Sequence, residues 1–272
     1  MFEVRRFAEL DSTNRYLLEE ARSGAAEGVV AMADHQTAGR GRLGRRWHAP
    51  PGANLLVSVL LRPALPPEEL HLCSAAVALA ARAACIEAAA VEPDLKWPND
   101  LLVGERKLAG ILAETVPQPD GGAGGAGGAG GAGGAGGAGR AVIVGIGVNV
   151  AWPPPADELV NGAAVPDELA DATSLWRESG TRVEPRMLLD LLLAALEPLI
   201  GQLSDAGGRR RLSAAYRRAC ATLGRAVTVS LTGETVTGRV SDITVEGHLL
   251  VDVGTCIRTI TAGDVVHLRA SR

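Results

Sequence analysis

Lysine is nearly absent from this chain. Of its 27 basic residues only two are lysines, Lys96 and Lys107, and both fall in one twelve-residue window. The bias toward arginine accompanies abundant Ala and Gly, so it begins as a codon bias. A lysine kept against that bias is a clue, because Lys is a compact point charge and Arg a planar fork. Cysteine is also scarce. Cys73, Cys85, Cys220 and Cys256 include no C-x-x-C pair, which excludes the common zinc and thioredoxin-like patterns. Reduced, mostly buried thiols in a cytoplasmic protein are the expectation. No excess of positive charge exists. The formal net charge is −4, which argues against a protein that coats nucleic acid. No apolar run reaches the roughly 18–20 residues of a membrane span. The polar segment after Met1–Arg6 has no secretory core.

What is present suits a folded protein. The 272 residues are 47% hydrophobic and 21% charged, enough for a sizeable core in one large domain or two ordinary ones. Residues 121–139 repeat Gly-Gly-Ala without proline and hold 13 of the 34 glycines. That composition cannot bury side chains, so a flexible loop between two strands is expected, away from any active site. Asp11-Ser12-Thr13-Asn14 offers N-caps for a helix carrying Leu17, Leu18 and Ala21. Strands are expected at 28–35, 54–62, 96–103, 109–116 and 141–150, and helices at 68–90, 184–204 and 209–220. From Leu223 the pattern becomes short alternating stretches broken by glycine, which read as a small antiparallel barrel. The expected division is a mixed helix-and-sheet domain over 1–221 and a small β domain over 222–272.

Gly39-Arg40-Gly41-Arg42-Leu43-Gly44-Arg45-Arg46-Trp47 is the densest signal. It matches G-x-G-x-x-G, but Pro50-Pro51-Gly52 follows where a dinucleotide fold needs a helix. No Walker sequence occurs either. Four arginines in seven residues repel one another, so the loop should be mobile until a multiply charged anion orders it. A solvated basic turn is the plain alternative. Trp47 either stacks on a base or packs in the core.

The lysine window places Lys96-Trp97-Pro98-Asn99-Asp100 and Arg106-Lys107 on two arms of a hairpin turning at Gly104-Glu105. Lys96, Asp100 and Lys107 then lie near one sheet end, suited to a phosphate or to an amine awaiting deprotonation. A surface hairpin with a weak ion pair fits the spacing equally well. Gly145-Ile146-Gly147-Val148-Asn149 ends another strand. Its glycines mark either a bulge or a close backbone approach to a ligand, and Asn149 offers an acceptor and two donors to a nucleotide.

Together these segments resemble the biotin protein ligases. The resemblance rests on Asp11–Asn14, His35–Arg42 with Leu43–Trp47, Gly52–Leu55, Lys96–Asp100, Arg106–Leu112 and Gly145–Asn149. Ala172–Leu175 and the β-rich tail also fit. It implies an α+β fold: a class II synthetase-like mixed sheet packed with helices, plus an SH3-like C-terminal barrel. It implies that biotin and ATP, with Mg2+, form biotinyl-5′-AMP and pyrophosphate, and that biotin then passes to a lysine of a biotin carboxyl carrier domain of a carboxylase. By position, Ser12, Thr13, Asn14, Gln36, Gly41 and Gly110 would line the biotin pocket. Arg40, Arg42 and Lys107 would meet the carboxylate and phosphate. Arg42, Trp47 and Asn149 would serve the nucleotide, and Asp100 would handle the incoming amine.

The magnesium ligands are not named by the sequence. Only ten residues precede Asp11, so no DNA-binding helix-turn-helix and no operator binding are expected. A soluble monomer or weak homodimer is expected, with no membrane partner. The nearest alternative is a lipoate or octanoate ligase, whose pocket must hold a linear chain. A nucleic-acid-binding module is the reading from another class, and it requires affinity that falls steeply with salt.

Overall fold

The computed structural model describes residues 2–116, 140–155 and 170–268. The Gly-Ala tract at 121–139 lies outside the described residues. Seven strands form the first sheet: β1 (Glu3–Leu10), β2 (Val29–Gln36), β3 (Leu55–Leu61), β4 (Asp94–Lys96), β5 (Asp100–Val103), β6 (Arg106–Val116) and β7 (Ala141–Val148). Their order is β1-β2-β3-β7-β6-β5-β4. Only β1 and β2 run parallel, so the sheet is mixed.

Alternation along the strands assigns a cover to each face. Val30, Met32, Val57 and Val59 point to the side packed by α2 (His71–Ala89) and α4 (Pro185–Gly201). Val29, Ala31, Leu60 and Ile143 point to the other side, against Leu17 and Ala21 of α1 (Thr13–Arg22). Ser12 caps α1, its side chain accepting from the Arg15 N–H. The described residues also form a short α3 (Leu175–Ser179) and α5 (Ala206–Ala219).

The sequence expectation of no span-length segment needs correction. Residues 67–89 and 185–204 are helical, with mean hydropathies of 1.6 and 1.5, long and apolar enough to cross a membrane. Here their apolar residues pack against each other and the first sheet.

The second sheet is antiparallel, in the order β11-β10-β9-β8-β12. Its strands are β8 (Ala226–Ser230), β9 (Thr235–Ile243), β10 (Leu249–Asp252), β11 (Ile257–Ile260) and β12 (Asp264–His267). Its valine-rich core takes in Trp97 from the first half of the chain. The indole N–H of Trp97 donates to the Gly247 carbonyl at 2.8 Å, and its backbone N–H to Thr222 Oγ1 at 3.0 Å. A single strand over 96–103 is not found. The chain turns at Trp97–Asn99, where Pro98 has no N–H for a ladder. Cys73, Cys85 and Cys220 are buried, Cys256 is exposed, and all four are free.

His267 lies in the seam between the sheets, its Nε2 3.0 Å from Thr222 Oγ1. Burial lowers its pKa below 6.5. Lys96 and Arg225 push the same way and Glu105 opposes them. The unfolded chain therefore binds this proton more readily than the folded one. The stabilisation is present above about pH 6.5 and is lost as pH falls toward the lower folded value. His267→Gln should lose less melting temperature than the parent between about pH 7.5 and about pH 5.5. Equal losses in thermal melts would contradict this.

Candidate active site

The cavity floor is the part of the α1-side sheet face that α1 leaves uncovered. Beyond Leu60, Ile143 and Val116 the same face carries Ser58 and Glu114, which bond Asn14 of α1, and then Gly145, Gly147, Leu112 and Gly110, which line the cavity. Gly110 and Gly147 are register partners. No register shift interrupts β7, so the glycines do not mark a bulge. They make room: a Cβ at Gly145 would stand 2.1 Å from Asn14 Oδ1, and one at Gly147 would stand 2.5 Å from the Trp47 ring. Above this floor is a cavity of about 270 Å³ lined by Ser12, Thr13, Asn14, Gln36, Arg40, Gly41, Arg42, Trp47, Asp100, Lys107, Gly110 and Asn149. Every site residue expected from the sequence except Lys96 therefore meets in one place.

Asn14 is buried and its amide is engaged within the protein. Its Nδ2 donates to the Leu112 carbonyl at 3.1 Å and to Glu114 Oε2 at 2.8 Å. Ser58 Oγ lies 2.6 Å from Asn14 Oδ1 and 2.7 Å from Thr13 Oγ1. Asn14 Oδ1 can only accept, so the single Ser58 proton goes there. Gln36 Oε1 accepts from the Thr13 N–H at 2.8 Å. With that oxygen engaged, the Gln36 amide contributes its N–H groups to the cavity. Asn149 is similarly braced. Its Oδ1 accepts from Asn54 Nδ2 at 3.1 Å, and Asn54 Oδ1 takes the N–H groups of Val150 and Trp152.

The arginine loop is a small hairpin. Gly41 N–H donates to the Arg45 carbonyl at 2.7 Å and Trp47 N–H to the Gly39 carbonyl at 3.0 Å. The turn places Leu43 at φ 57° and Gly44 at φ 74°. Trp47 lies across the glycine floor, and its Nε1 is buried with no hydrogen-bond partner. An unmet donor of this kind is costly unless a ligand or water completes it. Arg40 Nη2 reaches both Glu114 oxygens, at 3.0 and 2.8 Å. Arg42 donates to Asn99 Oδ1 at 3.0 Å, and desolvation lowers its pKa although Asp100 and Asp264 raise it. It remains charged, as arginine does in proteins.

Lys107 Nζ is 2.7 Å from Asp100 Oδ1 and 5.7 Å from the centre of the Trp47 ring. The register sets Lys96 opposite Asp100, but the ion pair forms with Lys107. Lys96 is not part of the cavity lining. Residues 172–175 hold Lys107 and Asn149 from behind. Thr173 N–H donates to the Lys107 carbonyl and Leu175 N–H to the Asn149 carbonyl.

Residues 7–126 match the model of the biotin/lipoate A/B protein ligase family, and residues 222–268 that of the biotin protein ligase C-terminal domain. The biotin–[acetyl-CoA-carboxylase] ligase of Mycobacterium tuberculosis is 38% identical, over 96% of this chain and 88% of its own length. The chain belongs to the biotin protein ligase family. The bifunctional ligase/repressor BirA of Bacillus subtilis is 32% identical, over 94% of this chain and 71% of its own. A biotin protein ligase of Aquifex aeolicus solved with biotin and ATP superposes with a TM-score of 0.74 at 26% identity, covering 99% of this chain and 100% of the other.

In this biotin protein ligase family member, Ser58, Asn54 and Glu114 brace the lining residues Asn14 and Asn149, and none of the three was assigned a role from sequence. A lone serine inside the apolar run of β3 was the available signal for Ser58. Glu114 sits in an alternating stretch that reads as ordinary surface. Gly145→Ala should drive Asn14 off its partners and cost about 1–3 kcal/mol of stability. Denaturant titration measures it, and unchanged stability would show that the Asn14 network yields easily.

Proposed function

We propose that the chain activates biotin with ATP and transfers it to a lysine of a biotin carboxyl carrier domain. The observation that carries this reading is a single cavity combining neutral hydrogen-bonding groups with five cations, Arg40, Arg42, Arg45, Arg46 and Lys107. Ser12, Thr13 and Gln36 suit a polar ureido ring, and Arg40, Arg42 and Lys107 suit a carboxylate meeting a phosphate. The relatives support it. One is named for ligating biotin to acetyl-CoA carboxylase, and another was solved with biotin and ATP. The proposal extends to a class II synthetase-like layout over 1–221, an SH3-like barrel over 222–272 and a cytoplasmic ligase. It requires neither nucleic acid nor a membrane.

In the first step the biotin carboxylate displaces pyrophosphate from the α-phosphate of ATP, giving biotinyl-5′-AMP. Two anions must approach, and Arg40, Arg42 and Lys107 offset their repulsion. Trp47 over the glycine floor supplies a flat surface for the nucleotide, and Asn149 is held to orient beside it. In the second step a lysine amine attacks the biotinyl carbonyl and AMP leaves. Asp100, 2.7 Å from Lys107 Nζ, would take the proton of the incoming ammonium. Magnesium accompanies ATP as part of the substrate. Among the described residues no group of three His, Cys, Asp or Glu could hold a metal ion by itself.

Pyrophosphate release with ATP and biotin, but not with ATP and lipoate, should come first. Label transfer from biotin to a carrier domain should follow. Release with lipoate alone would replace this reading with the lipoate one. Lys107→Arg should lower turnover at least about tenfold, because a planar guanidinium cannot keep the compact contacts to Asp100 and substrate oxygens. Near-normal kcat in steady-state assays would refute that role.

A further inference from the structure

We propose that Asp264, at the start of β12 in the second sheet, is a positioning residue that holds the arginine loop over the cavity. The inference rests on the biotin ligase reading above. The hairpin crosses from one sheet to the other. Arg45 forms an ion pair with the Asp264 carboxylate. Arg42 Nη1 donates to the neighbouring Gly263 carbonyl at 3.3 Å while it holds Asn99 on the first sheet. Asp264 itself lines the cavity. Its charge favours the charged forms of both Arg42 and Arg45, which repel each other. Asp264 is thus a shared counter-charge for two cations of the loop.

The docking point is stiff. A Cβ at Gly263 would stand 2.7 Å from Val229 Cγ1 and 3.0 Å from Leu231, so this turn is packed onto the core of the second sheet. The loop tip is otherwise poorly anchored, since Leu43 is 71% exposed. The second sheet therefore forms one wall of the closed site. Its chemical consequence is retention of the intermediate. A loop released from Asp264 lets biotinyl-AMP escape and hydrolyse to biotin and AMP, so pyrophosphate is made without biotin being transferred.

Asp264→Asn keeps the shape and removes the charge. The ratio of pyrophosphate released to biotin transferred should rise about three- to fivefold, the upper figure corresponding to the roughly 1 kcal/mol that an exposed ion pair reaches. Trypsin should cut at 40–46 faster by a similar factor in the absence of ligands. Arg45→Gln should reproduce both effects without touching the second sheet. The exchanged pair Arg45→Asp with Asp264→Arg should recover most of the coupling, which a merely structural role for Asp264 would not allow. Coupling and trypsin rates equal to the parent in both single variants would overturn the proposal and leave the ligase reading standing. No pyrophosphate from the parent with biotin and ATP would instead overturn the ligase reading. If Asp264→Asn fails to fold, Arg45→Gln and the exchanged pair decide the matter.

Discussion

A ten-residue helix is about 15 Å long, shorter than the sheet face on which it lies. α1 seals Leu60, Ile143 and Val116 and stops at its capped N-terminus, with Ser12, Thr13 and Asn14 at the edge of the uncovered face. Strand alternation then fixes what that face presents. Past the leucine, isoleucine and valine of the apolar patch it carries Ser58 and Glu114, which hold Asn14, and then the glycines of the cavity floor. The residues that cap the helix are therefore also the residues that line the cavity. Moving α1 by one turn would bury the floor or strip the apolar patch beside it.

Three cations of the site each have a carboxylate partner, and Arg42 shares the charge of Asp264 with Arg45. Arg40 has Glu114, Lys107 has Asp100 and Arg45 has Asp264. These cations and carboxylates are mostly part-exposed, so each pair is worth no more than about 1 kcal/mol. Weak pairing suits a site that must admit anions. A carboxylate or phosphate can take over a cation at small cost, whereas a deeply buried pair would resist exchange. The same balance lets several cations share one cavity in a chain whose net charge is −4.

Much of this was legible in the sequence, and the losses have physical reasons. The apolar runs of β2, β3 and β7 and the long helices α2 and α4 show directly, because buried strands and core helices carry unbroken hydrophobicity. β1 is a half-exposed edge strand with Glu3, Arg5, Arg6 and Glu9 in eight residues, so no alternation reveals it. β12 and α3 are too short to carry a period. The candidate site residues could be named because the arginine loop and the lysine window are locally dense. Partnership could not be named. Asn14 read as a ligand-facing amide, and the structure commits its donors to Leu112 and Glu114, about a hundred residues away. Gly145 and Gly147 read as either a bulge or a ligand approach, and the space they clear is filled by Asn14 and Trp47.

The segment Lys96–Asp100 shows how far such partnership reaches. Trp97 is built into the core of the second sheet and fastened to Gly247. Two residues on, Asn99 binds the Ile111 carbonyl through Nδ2 and accepts from Arg42 through Oδ1. Asp100 then holds Lys107. Five consecutive residues thus tie the seam between the sheets to the arginine loop and to the lysine. A change in how Trp97 packs must shift Asn99 and Asp100 with it, because no free rotation separates three residues held by backbone and side-chain bonds. The second sheet therefore reaches the site by two routes, through Trp97 and the residues that follow it and through Asp264 against the arginines of the loop.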